Sequence, residues 1–201
     1  MVTRTERDKD RKKQEIMDAA EKLFAEKGFS HVKMEEIAKE AEFTRKTLYA
    51  YFSHKEDLYR QVFLNIAIQR WNFLVEKMKV VENGIPRIRA FGEANYEYTI
   101  ANPEHFKLIV HIDQKGIQPE AHDDIFQIKI NNARKEIQQL LRDAYAFGQQ
   151  QGNIRSDLNV QRNIVHLSIS LRSMLNEIVL GYEEKEFYDE FLELFIEALK
   201  V

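Results

Sequence analysis

The sequence predicts an all-α protein. Its apolar residues recur three and four positions apart along most of the chain, the spacing that places them on one face of an amphipathic helix. The three prolines, Pro86, Pro103 and Pro119, suit the first turn of a helix, and the first 85 residues contain none. No alternating run carries hairpin turn residues, and the only strand-like stretch, Phe106–Ile112, suits a short buried helix equally well.

The predicted helices of the N-terminal half lie between glycine and capping residues. A first apolar stripe, ending before Gly28, consists of Ile16, Ala19, Ala20, Leu23 and Phe24. A second, shorter stripe consists of Met34, Ile37, Ala38 and Ala41. A long helix from about Lys55 to Val81 carries Leu58, Val62, Ile66 and Phe73. These spacings predict helices rather than strands.

Further helices are predicted after Pro86. The next stripe consists of Ile88, Phe91, Asn95 and Tyr98. A longer one consists of Ile130, Ala133, Ile137, Leu140, Leu141 and Ala144. The last two consist of Ile164, Leu167, Leu171, Leu175 and Ile178, and of Phe187, Phe191, Leu194, Phe195 and Ala198. We expect a small N-terminal domain over 1–54 and a larger helical domain over 55–201.

The composition is that of a globular protein. Of 201 residues, 44% are hydrophobic and 31% charged, a balance that supports a core and argues against disorder. Because cysteine is absent, disulfides and thiolate metal sites are excluded. No apolar run approaches the roughly 18–20 residues of a membrane span, and the first residues are charged rather than signal-like. We therefore expect a cytoplasmic protein that does not contact membranes.

Positive charge is concentrated near the front of the chain. The net charge is −3, which argues against indiscriminate coating of nucleic acid. Yet Met1–Lys13 contains six basic and three acidic residues, and Phe43–Lys55 contains three basic residues and no acidic one. A local phosphate-binding surface would need positive charge in this arrangement.

The segment Gly28–Leu58 predicts a helix-turn-helix. Glu35–Ala41 supplies the first helix, and Glu42 with Phe43 supplies the turn. Thr44 is a strong N-cap for a second helix, whose residues Leu48 and Phe52 face the core. Ser53 and Glu56 are spaced as a capping box for the next helix. Lys55 at that helix start, together with free backbone N–H groups, suits the binding of a phosphate.

This segment resembles the DNA-binding domain of the TetR family of transcriptional regulators over about residues 10–60. The matching residues lie in register and are Gly28-Phe29, Ile37-Ala38, Ala41, Thr44, Thr47-Leu48-Tyr49, Phe52, Lys55 and Leu58. The remaining residues are compatible in length and helicity but carry no family motif. The resemblance implies an N-terminal three-helix helix-turn-helix domain followed by a larger helical domain for ligand binding and dimerisation.

The chain departs from the family pattern at two positions. The family usually has glycine in the turn, where this chain has Glu42. A left-handed conformation there would cost glutamate roughly 1 kcal/mol or more. The family often has threonine before the first helix of the motif, where this chain has Lys33, so Ser30 caps that helix or it starts uncapped. Neither position lies on the second helix, so both bear on stability more than on DNA contact.

The resemblance also implies which residues contact DNA. The expected set is Thr44, Arg45, Lys46, Thr47, Tyr49, Tyr51 and Lys55. We expect phosphate contacts from Thr44, Thr47, Tyr51 and Lys55. Base edges could be reached by Arg45, Lys46 and Tyr49. Without the family pattern, Arg45 and Lys46 would be interpreted as a solvent-exposed charged face of the helix. Tyr49 fits a purely structural role as well as a DNA contact, because its ring is amphipathic. The basic segment Arg4–Lys13 is either an arm that contacts DNA or a disordered solubilising tail.

For the larger domain the resemblance implies an effector pocket and dimerisation through the last two helices. Candidate pocket residues are Trp71, Phe91, Tyr98, Phe106, Phe126, Tyr145 and His166. Each of these fits a plain core position as well, but the polar groups could orient a small, mostly apolar effector. Independently of the family, the last two helices carry more apolar surface than a lone hairpin would bury.

The expected function is therefore that of a ligand-responsive regulator. As a homodimer it would bind a palindromic stretch of double-stranded operator DNA, as a repressor that a lipophilic effector releases. An alternative keeps the DNA-binding module but makes the large domain a dimerisation or protein-interaction scaffold without a ligand. A helical enzyme with an accidental resemblance is a third reading, but nucleophile, phosphate-loop and metalloprotease motifs are absent. No cofactor is expected, and the metal-like cluster His122-Asp123-Asp124 suits a helix cap better than a metal.

Overall fold

The computed structural model of the chain describes residues 3–115 and 124–201, without the side chains of 111–127, 129, 130 and 133. Within these residues it consists of α-helices and one short 3-10 helix, Phe29–His31, so the all-α prediction is confirmed. The α-helices are α1 (Arg4–Lys27), α2 (Met34–Glu40), α3 (Arg45–Tyr51), α4 (Lys55–Lys79), α5 (Ile85–Ala101), α6 (Pro103–Lys115), α7 (Asp124–Gln150), α8 (Val160–Val179) and α9 (Lys185–Leu199). The strand-like stretch Phe106–Ile112 lies in α6. None of the helices described is both long and apolar enough to cross a membrane.

The chain divides into two compact units. The first comprises Met1–Ala67 and Glu104–Gln127, and the second comprises Ile68–Pro103 and Ile128–Val201. Helix α4 runs from the first unit into the second, so the units share one continuous helix. The boundary expected from the sequence, between residues 54 and 55, coincides with the start of α4 and stays a prediction.

The first unit is built on the apolar stripes of its helices. Ile16, Leu23 and Phe24 of α1 are buried, and so are Ile37 and Leu48 of α2 and α3. The rings of Phe24, Phe29 and Tyr59 form an aromatic cluster with centroids 4.7–5.8 Å apart. This core fixes α2 and α3 against α1.

The basic N-terminal segment is helical. Residues 4–13 form the first half of α1, and the side chains of Thr3 and Glu6 accept hydrogen bonds in a capping box at its start. Of the two alternatives left open by the sequence, a disordered tail does not describe this helical segment, and an arm that contacts DNA stays a prediction. The physical reason for the helix is the cap, which satisfies backbone donors of the first turn.

The second unit packs α5 against α8 and α9. A Cβ atom at Gly92 of α5 would lie 2.6 Å from the side chain of Leu192 of α9, so a larger residue there would force Leu192 to move. The buried hydroxyl of Tyr188 donates to the carbonyl of Gly92 over 2.7 Å. The predicted metal-like cluster at 122–124 lies outside the fully described residues.

Candidate nucleic-acid interface and effector site

The turn between α2 and α3 is a Schellman motif with Glu42 at its left-handed position. Glu42 has φ of 58°. Its N–H donates to the carbonyl of Lys39, and the N–H of Phe43 donates to that of Ala38, the two bonds that define the motif. The sequence identified this position as the one where the family usually has glycine, and the structure confirms the left-handed conformation. The turn therefore holds its shape at a cost in backbone strain.

Helix α3 is fixed by its inner face and its cap. Leu48 and Phe52 are fully buried, as predicted. The Oγ1 atom of Thr44 accepts from the N–H of Thr47 at 3.1 Å, and the two threonine hydroxyls lie 2.9 Å apart. Phe43 packs against the same core from the turn. This short helix is therefore held at both ends, which gives its outer face a defined direction.

The outer face of α3 carries most of the predicted DNA contacts. Thr44, Arg45, Lys46 and Tyr49 are exposed, and 45% of the Tyr49 surface is accessible. Thr47, whose N–H donates to the capping hydroxyl of Thr44, is partly buried. The predicted contact residues of α3 thus share one surface of the first unit.

Tyr51 differs from the other tyrosine of α3. It is partly buried and packs against the core cluster of the first unit. Its ring therefore contributes to the packing that holds α3. A tyrosine of this kind can still direct its polar end towards solvent.

Arg45 is engaged with a neighbouring helix in this structure. Its guanidinium forms a salt bridge with Glu35 of α2, and both side chains are largely exposed. An exposed ion pair contributes about 0–1 kcal/mol, less than a bidentate contact with guanine, at about 1–3 kcal/mol. The salt bridge is therefore compatible with transfer of Arg45 to a base edge.

Lys55 is placed differently from what the sequence suggested. Its Nζ atom donates to the carbonyls of Phe29 and Val32 at 2.8 and 2.9 Å and lies 4.4 Å from the Phe29 ring centroid. The ammonium is thus occupied inside the first unit, where it joins the start of α4 to the segment after α1. What α4 presents at its N-terminus is its backbone N–H groups, and its N-cap position is His54 rather than Ser53.

Helix α2 has Lys33 at its N-cap position, and the Lys33 side chain makes no capping hydrogen bond. Instead, the carboxylate of Glu36 accepts the backbone N–H of Lys33 over 2.9 Å. The same carboxylate pairs with Lys27 of α1 at 2.8 Å, and these hydrogen bonds lower the pKa of Glu36. A second pair joins Lys22 to Glu40 at 2.6 Å. Charged side chains thus connect α1 and α2 where the family pattern has a capping threonine.

The comparisons with known proteins agree with this geometry. Residues 16–62 match the family model of bacterial regulatory proteins of the tetR family. The matched segment contains α2, α3, the turn at Glu42 and the start of α4. Over these residues the chain carries the DNA-binding domain of TetR-family transcriptional regulators.

Two similar proteins of Bacillus subtilis are themselves named as regulators. An uncharacterized HTH-type transcriptional regulator, YfiR of Bacillus subtilis, is 36% identical over 58 residues, which span 29% of this chain and 28% of that protein. The fatty acid metabolism regulator protein of B. subtilis is 26% identical over 151 residues, 73% of each chain. The crystal structure of FadR from B. subtilis in complex with stearoyl-CoA superposes with a TM-score of 0.70 at 20% identity, covering 92% of this chain and 98% of that one. At that identity the structural likeness shows the fold alone.

The predicted pocket residues fall into several environments. Phe91, Tyr98 and Tyr145 are buried in the second unit. Trp71 is partly buried there, whereas Phe106 is buried in the first unit. The structure therefore groups only part of the predicted set within one unit.

One predicted pocket residue, His166, is not part of the buried interior of the second unit. His166 is exposed on α8, next to the exposed side chains of Val165 and Ile169, so it does not line the interior of the second unit. His166 was a candidate because its imidazole could orient a ligand, and it lies one position from the buried Leu167. The side chain of Phe126 lies outside the described residues.

A polar group in the interior of the second unit was not predicted from the sequence. We call it the Arg70 group: Arg70, Asn95 and Thr99. Arg70 donates to the Oδ1 atom of Asn95, whose Nδ2 atom donates to the carbonyl of Phe91 at 2.6 Å. Asn95 and Thr99 are only 2% and 1% exposed. A signal was available, because Arg70 interrupts an apolar series with a spacing of four along α4: Leu58, Val62, Ile66, Arg70, Leu74 and Met78.

Helix α9 has two apolar faces. One face is buried and consists of Tyr188, Leu192, Ile196 and Leu199. The other consists of the stripe predicted from the sequence, in which Phe187 and Leu194 are 40% and 70% exposed. On α8, Val165 and Ile169 are 42% and 50% exposed. The last two helices thus carry apolar surface that a single chain leaves accessible.

Proposed function

We propose that this protein is a ligand-responsive repressor that binds a palindromic operator as a homodimer and is released by a small lipophilic effector. The observation that carries the proposal is the outer face of α3. A capped and anchored helix presents Thr44, Arg45, Lys46 and Tyr49 to solvent. Helices presented in this way enter the major groove in helix-turn-helix proteins.

Within this proposal the contact residues have different roles. Arg45 and Lys46 reach base edges, and Arg45 is the better reader of guanine because its guanidinium is bidentate. Thr44, Thr47 and Tyr51 bind phosphates, and Tyr49 contacts the edge of the groove. The start of α4 holds a phosphate through its backbone N–H groups, because the Lys55 ammonium is already hydrogen-bonded.

Dimerisation through α8 and α9 follows from their exposed apolar faces. Pairing with a second copy would cover Ile169 and Leu194, which are at least half exposed in the single chain. A two-fold axis would then place two copies of α3 on one duplex. Successive major grooves lie about 34–36 Å apart, which the dimer has to match.

Ile169→Glu and Leu194→Glu test this interface. The double variant should sediment as a monomer and lose most of its operator affinity, because each half-site alone binds weakly. Val80→Glu is the matched control, since Val80 is an 83% exposed apolar residue just after the end of α4. A double variant that remains dimeric would place the interface elsewhere.

The proposed effector is a long-chain acyl compound. Two observations support this class: similarity to the fatty acid metabolism regulator of B. subtilis over 73% of the chain, and similarity in fold to FadR bound to stearoyl-CoA. The buried aromatic side chains of the second unit, among them Phe91 and Tyr98, suit an apolar chain.

Helix α4 is the proposed connection between effector and DNA. Its 25 residues span about 38 Å at 1.5 Å per residue. An effector that favours one arrangement of the second unit would tilt α4 and change the separation of the two α3 helices. The resulting change in DNA affinity cannot exceed the difference in effector affinity between the two arrangements.

Selection of bound sequences from a random DNA pool tests the proposal. A recovered palindrome would support a dimer on two half-sites, and an asymmetric site would contradict it. Arg45→Ala with Lys46→Ala should weaken binding to the recovered site by about 1–3 kcal/mol per half-site or more. The adjacent exposed bases of α7, Arg134 and Lys135, offer a matched double-alanine control that should bind like the wild type. Equal affinity of the two double variants would refute the assignment.

The scaffold alternative has one observation in its favour. Phe91, Tyr98 and Tyr145 are at most 7% exposed, as in a packed core that binds nothing. Thermal-shift measurements across a series of acyl compounds distinguish the two functions. A raised unfolding temperature and release of operator by the same compound would support an effector, whereas no response to any compound would favour the scaffold.

A further inference from the structure

The Arg70 group places a positive charge where the surrounding sequence is apolar. Arg70 lies on α4 one turn before the buried Leu74 and one turn after the buried Ile66. Its side chain is partly buried as a whole, but its Nε atom is shielded from solvent and has no hydrogen-bond partner among the described residues. Burial lowers the pKa of Arg70, which reflects the cost of removing a guanidinium from water.

No carboxylate of the described residues compensates this charge. The charged and titratable neighbours of Arg70 are Tyr98, Tyr188 and another cation, Arg172. Its hydrogen-bond partner is a neutral amide, that of Asn95. Buried charges in proteins are normally paired, because an unpaired one is costly. The arrangement therefore has a site for negative charge that the described part of the chain does not fill.

Asn95 directs the arginine rather than competing for a ligand. Its carbonyl oxygen accepts from Arg70, and its amide nitrogen is engaged with the carbonyl of Phe91. Arginine has five N–H donors, so most of them remain available. One helical turn further along α5, the buried hydroxyl of Thr99 also has no partner in the described structure. Guanidinium and hydroxyl donors on neighbouring helices are the groups that bind carboxylate and phosphate.

The neighbours of the Arg70 group are aromatic. Phe91, Asn95 and Tyr98 share one face of α5, and the Tyr98 ring packs against Phe73 with a centroid distance of 5.5 Å. A charged group beside aromatic side chains suits a molecule with an anionic head and an apolar body.

We propose that Arg70 and Thr99, with Asn95 as a positioning residue, bind the anionic head group of an amphipathic effector. The head group is an oxyanion, a carboxylate or a phosphate, attached to a hydrocarbon chain. The inference rests on the proposed function, because it names the class of effector that the second unit takes. It adds that a neutral lipid of the same length is a poor effector.

Three probes with the same hydrocarbon chain test the head group: palmitate, hexadecyl phosphate and hexadecanol. Binding is followed through Trp71, the single tryptophan of the chain, which directly follows Arg70. Release of operator is followed in parallel by fluorescence anisotropy of labelled DNA. We expect at least one of the two anions to bind about ten-fold or more tightly than hexadecanol, as loss of a charge-assisted hydrogen bond predicts. The stronger of the two anions identifies carboxylate or phosphate as the natural head group.

Variants of the intact protein then locate the effect. Arg70→Gln keeps a donor for Asn95 but removes the charge, and should remove the preference for the anion while leaving hexadecanol affinity within about two-fold. Asn95→Asp supplies an internal carboxylate to Arg70 and should weaken anion binding in the same way without loss of folding. Arg89→Gln is the matched control, since Arg89 is an arginine of the same unit paired with Glu193 on the surface.

The outcomes separate this inference from the proposed function. If hexadecanol releases the operator as well as the anions do, or if Arg70→Gln binds anions like the wild type, the head-group site is wrong while the effector function stands. If no probe binds and none releases the operator, the effector function fails together with the inference. A variant that unfolds is identified by circular dichroism, and Arg70→Lys, which keeps the charge, then has to restore anion binding.

Discussion

Replacement of Glu42 by glycine should stabilise the first unit. Glu42 occupies the left-handed position of the Schellman turn, with φ of 58°. Its side chain is exposed and has no ion-pair partner among the described residues, so the substitution removes little besides the Cβ clash. The two backbone hydrogen bonds of the turn do not depend on the side chain and should persist.

The magnitude follows from two opposing terms. A left-handed conformation costs a residue with a Cβ atom roughly 1–2 kcal/mol, which glycine does not incur. Glycine in turn makes the unfolded chain more flexible, which costs about 0.5–1 kcal/mol. The net expectation is a stabilisation of about 0.5–1 kcal/mol, or a rise in the unfolding temperature of about 1–4 °C for a chain of this size.

Urea and thermal unfolding followed by far-ultraviolet circular dichroism measure this difference. Glu42→Ala is the control, because alanine removes the carboxylate but retains the Cβ atom and its strain. The glycine variant should exceed both the wild type and the alanine variant in stability, with unchanged affinity for operator DNA. If the alanine variant is stabilised equally, charge rather than φ is responsible, and if glycine destabilises the protein, the strain argument is refuted.

Three further substitutions test other local features. Gly28→Ala should destabilise the protein by about 1–3 kcal/mol in chemical denaturation, because φ is 76° and ψ 151° there, and no atom lies near the added Cβ to supply another explanation. Lys55→Met should cost about 1–3 kcal/mol through its lost hydrogen bonds, whereas a lysine that served DNA alone would leave the unfolding midpoint unchanged. The pKa of Glu36 is lowered in the folded state, mainly by Lys27, so its stabilisation is present above the ordinary value of 4.5 and is lost as the pH falls below it. Glu36→Gln should therefore flatten the fall of the unfolding temperature between neutral and acidic pH, and an unchanged slope would contradict this.

The DNA-binding unit could be predicted from the sequence because its determinants are local. Thr44 caps the helix that begins at the next residue, and Leu48 and Phe52 lie on its inner face through helical spacing alone. The strain at Glu42 was foreseeable because the family pattern usually has glycine at this position of the turn. Each of these features is fixed by residues within a few positions of one another.

Features that depend on residues far apart in the chain were not predictable in the same way. The ammonium of Lys55 reaches carbonyls 26 and 23 residues away, and spacing within one helix gives no sign of this. Arg70 and Asn95 are separated by 25 residues. For His166 the helical pattern did not distinguish the buried face of α8 from the accessible one, because Val165 and Ile169 make both faces apolar. Contacts between helices decide such assignments.

The position of Arg70 on α4 limits what an anion bound there can do. Lys55 fixes the first turn of α4 within the first unit, and Arg70 lies fifteen residues later, about 22 Å along the same helix. A ten-fold preference for the anion corresponds to about 1.4 kcal/mol, within the about 1–3 kcal/mol that couples sites in allosteric proteins. If the guanidinium bound the anion equally well in the free and the DNA-bound arrangement, Arg70→Gln would raise the effector concentration needed for release and leave the maximal release unchanged. A lower maximum at saturating effector would instead mean that the charge discriminates between the two arrangements, because only differential binding shifts an equilibrium.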